Sequence, residues 1–234
     1  MSNNNWAQFQ IYILQLENEG LVTRTFRRLD PERQNTIINA ILDEASVRGL
    51  GNINIKPVAE KANVSVGSLY QYFIDREGLL NFAIEFSVRY IRDSFNQYRE
   101  YLASLPIREA LYWYILGGIE FGHTETRFLK FYARAAYQDE PELAERVVRP
   151  IATILREMVQ EILVQAARRG ELRSDLDLET MTPIIHTLTI AVGDSFLIPY
   201  LNNYYQLDES KGSKEETVEA LLDLILDGIG TKSS

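Results

Sequence analysis

The chain has 234 residues, of which 46% are hydrophobic and 24% charged, and this composition excludes wholesale disorder. It has no cysteine and only two histidines, so we exclude a disulfide framework and expect neither a metal site nor a cofactor. The net charge of −9 disfavours the binding of nucleic acid. The charge is uneven, however, because residues 1–82 carry 8 basic and 9 acidic residues, whereas the remainder carries 16 basic and 24 acidic residues. A small phosphate-facing surface can therefore lie in the nearly neutral N-terminal third.

Targeting signals are not recognisable. The polar start MSNNN lacks the basic-then-apolar pattern of a signal peptide, and no apolar run approaches the roughly 20 residues of a membrane span. We therefore expect a cytoplasmic chain without a membrane segment.

Hydrophobic periodicity is helical nearly throughout, which predicts an all-α fold. Residues 1–29 form an N-terminal extension with a short amphipathic helix at 6–16. We expect its apolar face to pack on the body or on a partner subunit, and its members are Trp6, Phe9, Ile13 and Leu16. The three arginines that follow, Arg24, Arg27 and Arg28, form either an arm that tracks DNA or a solvated connector, and we favour the connector.

The next helix begins with Asp30 as N-cap and Pro31 in its first turn, and Gly49 ends it. Its apolar face contains Ile37, Ile38, Ile41, Leu42 and Ala45. Two short helices follow, 55–62 and 66–73, capped by Asn54 and Ser65 and separated by Asn63, which tolerates a left-handed turn. Asp75 caps a long helix that we expect to reach about Ser104.

Beyond Pro106 the pattern predicts longer helices at 107–122, 125–137, 141–169, 179–202 and 215–229. Two domains then share the helix that starts at Arg76.

Residues 54–73 predict a helix-turn-helix. Val58, Ala59, Ala62, Leu69 and Phe73 face inward and Val64 fills the turn. The candidates for the outer face are Ser65, Val66, Gly67, Ser68, Tyr70, Gln71 and Tyr72. Small residues allow close approach to base edges, glutamine can read adenine, and hydroxyls can bind phosphate.

The stretch NIKPVAEKANVSVGSLYQYFIDREGLL resembles the DNA-binding motif of the TetR/AcrR family of bacterial transcriptional regulators. The resemblance covers about residues 30–82, and RRGELRSDLDLE at 168–179 is similar to a connection between late helices of the family. It implies a DNA-binding domain at 30–75 and a domain at 76–234 that binds a ligand and dimerises.

The resemblance also implies roles for single residues. Ser65, Tyr70, Tyr72 and Arg76 would contact phosphates, and Val66, Gly67, Ser68 and Gln71 would lie at base edges, with Lys56 as a further DNA contact. For Tyr72, packing on neighbouring helices is an equal alternative. Val66 stands where the family often has a cation, and Asn63 where it often has glycine.

The implied function is that of a repressor, a homodimer that a small-molecule effector releases from a palindromic operator. The dimer interface would use 141–169 and 179–202. The predicted ligand contacts are Trp113, Glu120, His123, Phe131 and His186. His123 can equally sit at an exposed helix end, and His186 can be structural.

Two other classes stay open. One is a helical sensor that has lost DNA binding, which Val66 and the modest basic charge would favour. The other is a helical enzyme, although the chain lacks the G-x-S-x-G, P-loop, G-x-G-x-x-G and H-E-x-x-H motifs.

Overall fold

The computed structural model describes residues 3–48, 53–137, 141–207 and 212–230, with side chains from Ala7 onward. Helices dominate these ranges, which contain no strand, and the predicted all-α class is confirmed. The helices are α1 Asn3–Asn18, α2 Arg24–Arg27, α3 Pro31–Arg48, α4 Ile55–Ala62, α5 Val66–Phe73, α6 Arg76–Asn96, α7 Arg99–Ser104, α8 Ile107–Thr124, α9 Thr126–Tyr137, α10 Pro141–Leu143, α11 Arg149–Arg168, α12 Leu178–Leu197, α13 Pro199–Tyr205 and α14 Lys214–Ile229.

The chain forms two compact units. Unit 1 comprises Met1–Asp93 with Arg127–Ile151, and unit 2 comprises Ser94–Thr126 with Ala152–Ser234. The division falls inside α6. These are units of packing, and the predicted functional division into 1–29, 30–75 and 76–234 stays a prediction.

The N-terminal helix α1 is an integral part of unit 1. Phe9, Ile13 and Leu16 are buried, as predicted, whereas the side chain of Trp6 lies outside the described residues. The ring of Phe9 packs edge-on against Phe86 of α6, with ring centroids 5.0 Å apart. The extension therefore packs on α6 of its own chain.

Tyr12 adds a polar contact between α1 and α6. Its hydroxyl donates a hydrogen bond to Oδ2 of Asp93 at 3.0 Å. Burial, reinforced by the Asp93 carboxylate, raises the pKa of Tyr12 to about 12. The phenol therefore stays protonated and keeps this bond at neutral pH.

The core of α3 matches its apolar periodicity, since all five predicted residues are buried. Its N-terminus is capped as predicted, with the amide of Arg33 donating to Oδ1 of Asp30 at 2.9 Å. The predicted end at Gly49 lies outside the described residues. Near that end, α9 is tied to α3 because Nε of Arg127 lies 2.9 Å from Oδ1 of Asp43.

Proline explains two differences from the predicted helices. The predicted helix 141–169 is interrupted by a π-helical turn, Ala144–Val148, just before Pro150. Pro150 has no N–H and its ring excludes the carbonyl four residues earlier, so the preceding turn widens. The predicted helix 179–202 ends at Leu197, because Pro199 pushes Ile198 into extended backbone.

A third difference has no comparable signal. The long helix predicted to run to Ser104 is broken after Asn96, where the amide of Tyr98 turns back to the carbonyl of Phe95 at 3.0 Å. Neither proline nor glycine marks this break in the sequence.

Unit 2 is organised around α8, which contacts α7, α12 and α14. Gly122 allows the close approach of α8 and α12, since a Cβ at this position would lie 2.5 Å from a methyl carbon of Leu197. At its other end, α8 is joined to α14 by Arg108, whose guanidinium pairs with Glu219 and Asp223. A capping box of Ser213 and Glu216 begins α14.

The junction between α5 and α6 depends on Gly78. Its amide donates to Oδ1 of Asp75 at 2.7 Å, which confirms Asp75 as the cap of α6. A Cβ on Gly78 would lie 2.1 Å from the main-chain oxygen of Phe73, the last residue of α5. Only glycine therefore fits without a backbone shift.

We expect Gly78→Ala to lower the free energy of unfolding by about 1–3 kcal/mol, because the backbone of Phe73 must move. The measurement is urea unfolding at fixed protein concentration. Gly117→Ala on α8 is the matched control, since a Cβ there meets nothing within 4 Å. Equal stability of the two variants would contradict the close contact.

We expect Phe9→Ala to lower the free energy of unfolding by about 3–5 kcal/mol, because a fully buried ring is removed from unit 1. Leu14→Ala, on the same helix but 47% exposed, should change it by no more than about 0.5 kcal/mol. Thermal or urea unfolding compares the two. A small effect of Phe9→Ala would mean that α1 is not part of the cooperative unit.

Candidate nucleic-acid interface

Three local devices build the predicted helix-turn-helix. Oδ1 of Asn54 accepts from the amide of Lys56 at 3.1 Å and starts α4. Asn63 ends α4 in the left-handed conformation, with φ 52° and ψ 48°. Oγ of Ser65 then accepts from the amide of Ser68 at 3.0 Å and starts α5. All three predicted roles are confirmed, and together they fix the angle between the two helices.

Helix α5 is the second helix of the predicted helix-turn-helix and is therefore its predicted recognition helix. It has one buried and one exposed face. Leu69 and Phe73 are each 1% exposed and hold the helix on the core. The opposite face is open to solvent through Ser65, Val66, Gly67, Tyr70 and Gln71, with Ser68 half-buried. Most of the predicted DNA-contacting residues of α5 therefore share one accessible surface.

Gly67 is not required by the packing of its own chain. A Cβ at this position would approach only Oγ of Ser65, at an ordinary contact distance of 3.6 Å. Glycine within a helix costs about 1 kcal/mol relative to alanine. The fold thus offers no reason for glycine here, whereas a molecule approaching α5 from outside would provide one.

Tyr72 has a packing role. It is 8% exposed, and its ring centroid lies 5.8 Å from that of Phe26 and 6.3 Å from that of Phe73. This burial favours the packing alternative over the phosphate contact.

Lys56 and Arg76 are both exposed at the edges of the motif. Lys56 lies in the first turn of α4. Nε of Arg76 donates to the main-chain oxygen of Ile53 at 2.9 Å, so this arginine also fixes the segment that leads into α4. The sequence did not predict this second, structural role.

Sequence reasoning also missed Thr23. Its amide donates to the carbonyl of Tyr72 at 2.9 Å, and its Oγ1 donates to the carbonyl of Gln71 at 2.7 Å. These carbonyls belong to the last turn of α5, and carbonyls at a helix end have no amide of their own helix from which to accept a hydrogen bond. The two partners are 48 residues apart in sequence, so no local pattern could have revealed the contact.

The end of α5 has an unusual backbone conformation. Ile74 follows Phe73 with φ 68° and ψ −60°, and its side chain is 65% exposed. A β-branched residue at positive φ is strained. The strain persists because Thr23, Gly78 and the buried rings hold the residues on either side.

The predicted ligand contacts are divided between the two units. Trp113, Glu120 and His123 lie on α8 of unit 2 and are exposed, Trp113 by 53%. Phe131 is buried in unit 1. The predicted ligand site therefore stays a prediction.

His186 is the most distinctive residue of the predicted ligand set. It is half-buried on α12, and no hydrogen-bond partner for its buried Nδ1 is present within the described ranges. Burial, together with the positive charge of Arg156, lowers its pKa. The imidazole is therefore neutral at pH 7, with a ring nitrogen available for a polar group.

Two clefts of unit 2 contain none of the predicted ligand residues. An open polar cleft of about 620 Å³ lies between α7 and α11 and is lined by charged residues such as Arg99, Glu161 and Arg169. A smaller apolar groove of about 170 Å³ lies between α12 and α14. Among the described residues no group of three metal-ligating side chains occurs, and no helix is long and apolar enough to cross a membrane.

Comparisons with known proteins agree with this geometry. Residues 37–82 match the family model of bacterial regulatory proteins, tetR family. The chain is 31% identical over 141 residues to the HTH-type transcriptional repressor KstR2 of Rhodococcus jostii (strain RHA1), an alignment that covers 56% of this chain. The chain spans 64% of the length of that relative.

Solved structures share the fold over most of the chain. A TetR family transcriptional regulator from Chloroflexus aurantiacus has a TM-score of 0.65 at 20% identity, covering 90% of this chain and 99% of that one. The regulator FadR from Bacillus subtilis, in complex with stearoyl-CoA, has a TM-score of 0.56 at 16% identity, covering 83% and 98%. These relatives are transcriptional regulators rather than enzymes. The resemblance to the TetR family that the sequence predicted is confirmed, and the residues that match the family model, 37–82, contain the predicted helix-turn-helix.

Proposed function

We propose that this protein is a transcriptional repressor that binds a palindromic DNA operator as a homodimer and is released by a small-molecule effector in the cytoplasm. The observation that carries the proposal is the exposed face of α5, where small and polar residues surround a glycine that the fold does not need. The family match over residues 37–82 supports the same surface.

Each exposed residue of α5 has a role that fits its chemistry. Gln71 can pair with adenine through its side-chain amide, and Val66 can contact a thymine methyl group. Ser65 and Tyr70 offer hydroxyls to phosphate oxygens. Arg76 at the start of α6 supplies positive charge beside them.

A two-fold dimer would double the number of base pairs that the short helix α5 can contact, and would so increase specificity for one DNA sequence. Two copies of α5 about 34–36 Å apart would enter successive major grooves on one side of the duplex. We assign the dimer contact to 141–169 and 179–202, as the resemblance implies.

Release by the effector requires a mechanical connection, and α6 is the candidate. It begins directly after the turn that ends α5 and continues beyond Asp93 into unit 2. In one conformation of the dimer, the spacing of the two DNA-binding domains does not fit the operator. An effector that binds this conformation more tightly would increase its population and so decrease the fraction of protein bound to DNA. The strength of that preference sets how far the equilibrium moves.

The test is a gel-shift titration at low salt with the DNA upstream of the gene. We expect a retarded band that a correct effector abolishes. Long-chain acyl-CoA is the first effector to try, because the FadR neighbour from Bacillus subtilis holds stearoyl-CoA. A folded protein that retards no DNA would instead support the sensor alternative.

We expect Gly67→Ala to separate stability from DNA binding. The variant should be as stable as the wild type or more stable by about 1 kcal/mol, because alanine favours the helix. Operator affinity should fall about tenfold or more, equivalent to about 1.4 kcal/mol, because the new methyl group obstructs base edges. Fluorescence anisotropy and urea unfolding measure the two quantities.

Gly117→Ala introduces the same methyl group on α8 of unit 2 and serves as the control for DNA binding. Unchanged operator affinity in Gly67→Ala would remove the main argument for close approach at this position.

We expect Gln71→Ala to relax base preference at one position of each half-site, because one good side-chain contact to a base contributes about 1–3 kcal/mol of discrimination. Selection from a randomised duplex pool, followed by affinity measurements, reveals the position. Gln97→Ala, exposed in unit 2, should leave the selected sequence unchanged. An identical consensus for Gln71→Ala and the wild type would exclude base reading by this residue.

A further inference from the structure

The segment Thr23–Arg28 is fixed against the recognition helix. Thr23 makes two hydrogen bonds to the last turn of α5, through its amide to Tyr72 at 2.9 Å and through its hydroxyl to Gln71 at 2.7 Å. Phe26 is fully buried, with its ring centroid 5.1 Å from that of Phe73. This segment therefore has a defined position and is not a loosely attached connector.

The hydrogen bonds of Thr23 place its neighbour beside the base-reading surface. Consecutive Cα atoms are about 3.8 Å apart, so Arg24 begins one residue away from a direct contact with the backbone of Gln71. Gln71 is exposed and is the residue to which we assign adenine recognition. An arginine side chain starting here lies at the flank of the proposed major-groove surface.

The three arginines of the segment differ in their surroundings. Arg27 forms an ion pair with Glu17 of α1. Arg24 and Arg28 are exposed, and neither side chain has an ion-pair partner among the residues that the structure describes. They stand four residues apart in helical backbone, so they share one side, opposite the buried Phe26.

Charge is scarce on the proposed DNA surface. The predicted contacts include only two cations, Lys56 and Arg76, and Arg76 already donates to the carbonyl of Ile53. Duplex affinity rises with the number of phosphates that cations neutralise. Two further unpaired arginines next to α5 would correct this deficit in a chain whose net charge is −9.

We propose that Arg24 and Arg28 bind the phosphate backbone of the duplex beside the recognition helix, and that Thr23 positions them. The inference rests on the proposed DNA-binding function and extends it beyond the helix-turn-helix. The interpretation of the three arginines as a solvated connector is then replaced, for Arg24 and Arg28, by a second contact to the same DNA.

The test is the salt dependence of affinity for a fluorescein-labelled duplex of the DNA upstream of the gene, measured with the full chain. In Arg24→Ala/Arg28→Ala, two lost phosphate contacts should reduce the slope of log affinity against log salt by about 2. Affinity should fall roughly tenfold or more, equally for the operator and for a scrambled duplex, because phosphate contacts are not sequence-specific.

Arg173→Ala/Lys214→Ala is the matched control. It removes two positive charges from unit 2, where the ion-pair contacts of the two side chains with described residues are long, at 3.5 and 3.9 Å. If the control lowers the slope as much as Arg24→Ala/Arg28→Ala does, the effect comes from net charge and the proposal is overturned.

Thr23 has its own test as a positioning residue. Thr23→Val removes the hydroxyl that donates to Gln71 and should lower both affinity and salt slope, whereas Thr23→Ser keeps the hydroxyl and should restore both. Circular dichroism and thermal unfolding check that each variant is folded. A loss of stability in Thr23→Val with an unchanged salt slope would mean that Thr23 only caps α5 and would overturn its positioning role.

The outcomes separate this inference from the proposed function. If the wild-type protein binds no DNA, the proposed function itself is wrong. If the wild type binds and the double arginine variant shows the same affinity and slope, only the phosphate contact by Arg24 and Arg28 is wrong.

Discussion

A row of aromatic rings along α6 holds unit 1 together. Phe82 and Phe86 are one helical turn apart and stack with centroids 5.7 Å apart. Phe82 contacts Phe73 of α5 at 4.9 Å, and Phe86 contacts Phe9 of α1 and Phe128 of α9 at 5.0 and 6.4 Å. Three helices that are distant in sequence thus pack on one face of a fourth. The orientation of the recognition helix follows from this row, because Phe73 anchors its last turn.

Several smaller interactions also orient α5, in addition to the packing of Phe73. Asn63 and Ser65 set the angle at which α5 leaves α4, and Gly78 lets α6 begin against the carbonyl of Phe73. Thr23 satisfies carbonyls that the short helix cannot satisfy itself. Each interaction is local and modest. Together they hold α5 in place and leave its outward face exposed to solvent.

Features encoded by neighbouring residues were predictable from the sequence. The caps at Asp30, Asn54, Ser65 and Asp75 depend on side chains that bond amides two or three residues away, and all four are present. The buried face of α3 follows from its periodicity.

Features that depend on distant partners were not predictable. Thr23 and Arg76 look like ordinary surface residues until the fold brings them to Gln71 and Ile53. The two breaks before Pro150 and at Pro199 are marked in the sequence by the prolines themselves, but the continuous apolar periodicity favoured an unbroken helix. The break after Asn96 is not marked by any such residue. The predicted ligand contacts depend on tertiary geometry in the same way, and Phe131 lies in a different unit from the other four.

The strained backbone at Ile74 has a consequence for how such a protein can evolve. A residue at φ 68° persists only where its surroundings determine it from several sides, so a new tilt of α5 would require changes in those surroundings as well. Under the proposed function, exchanging side chains on the exposed face of α5 would change the half-site sequence without disturbing this backbone. A change of half-site spacing would instead need mutations elsewhere in the chain. The sequence and the spacing of the half-sites could therefore change independently during evolution.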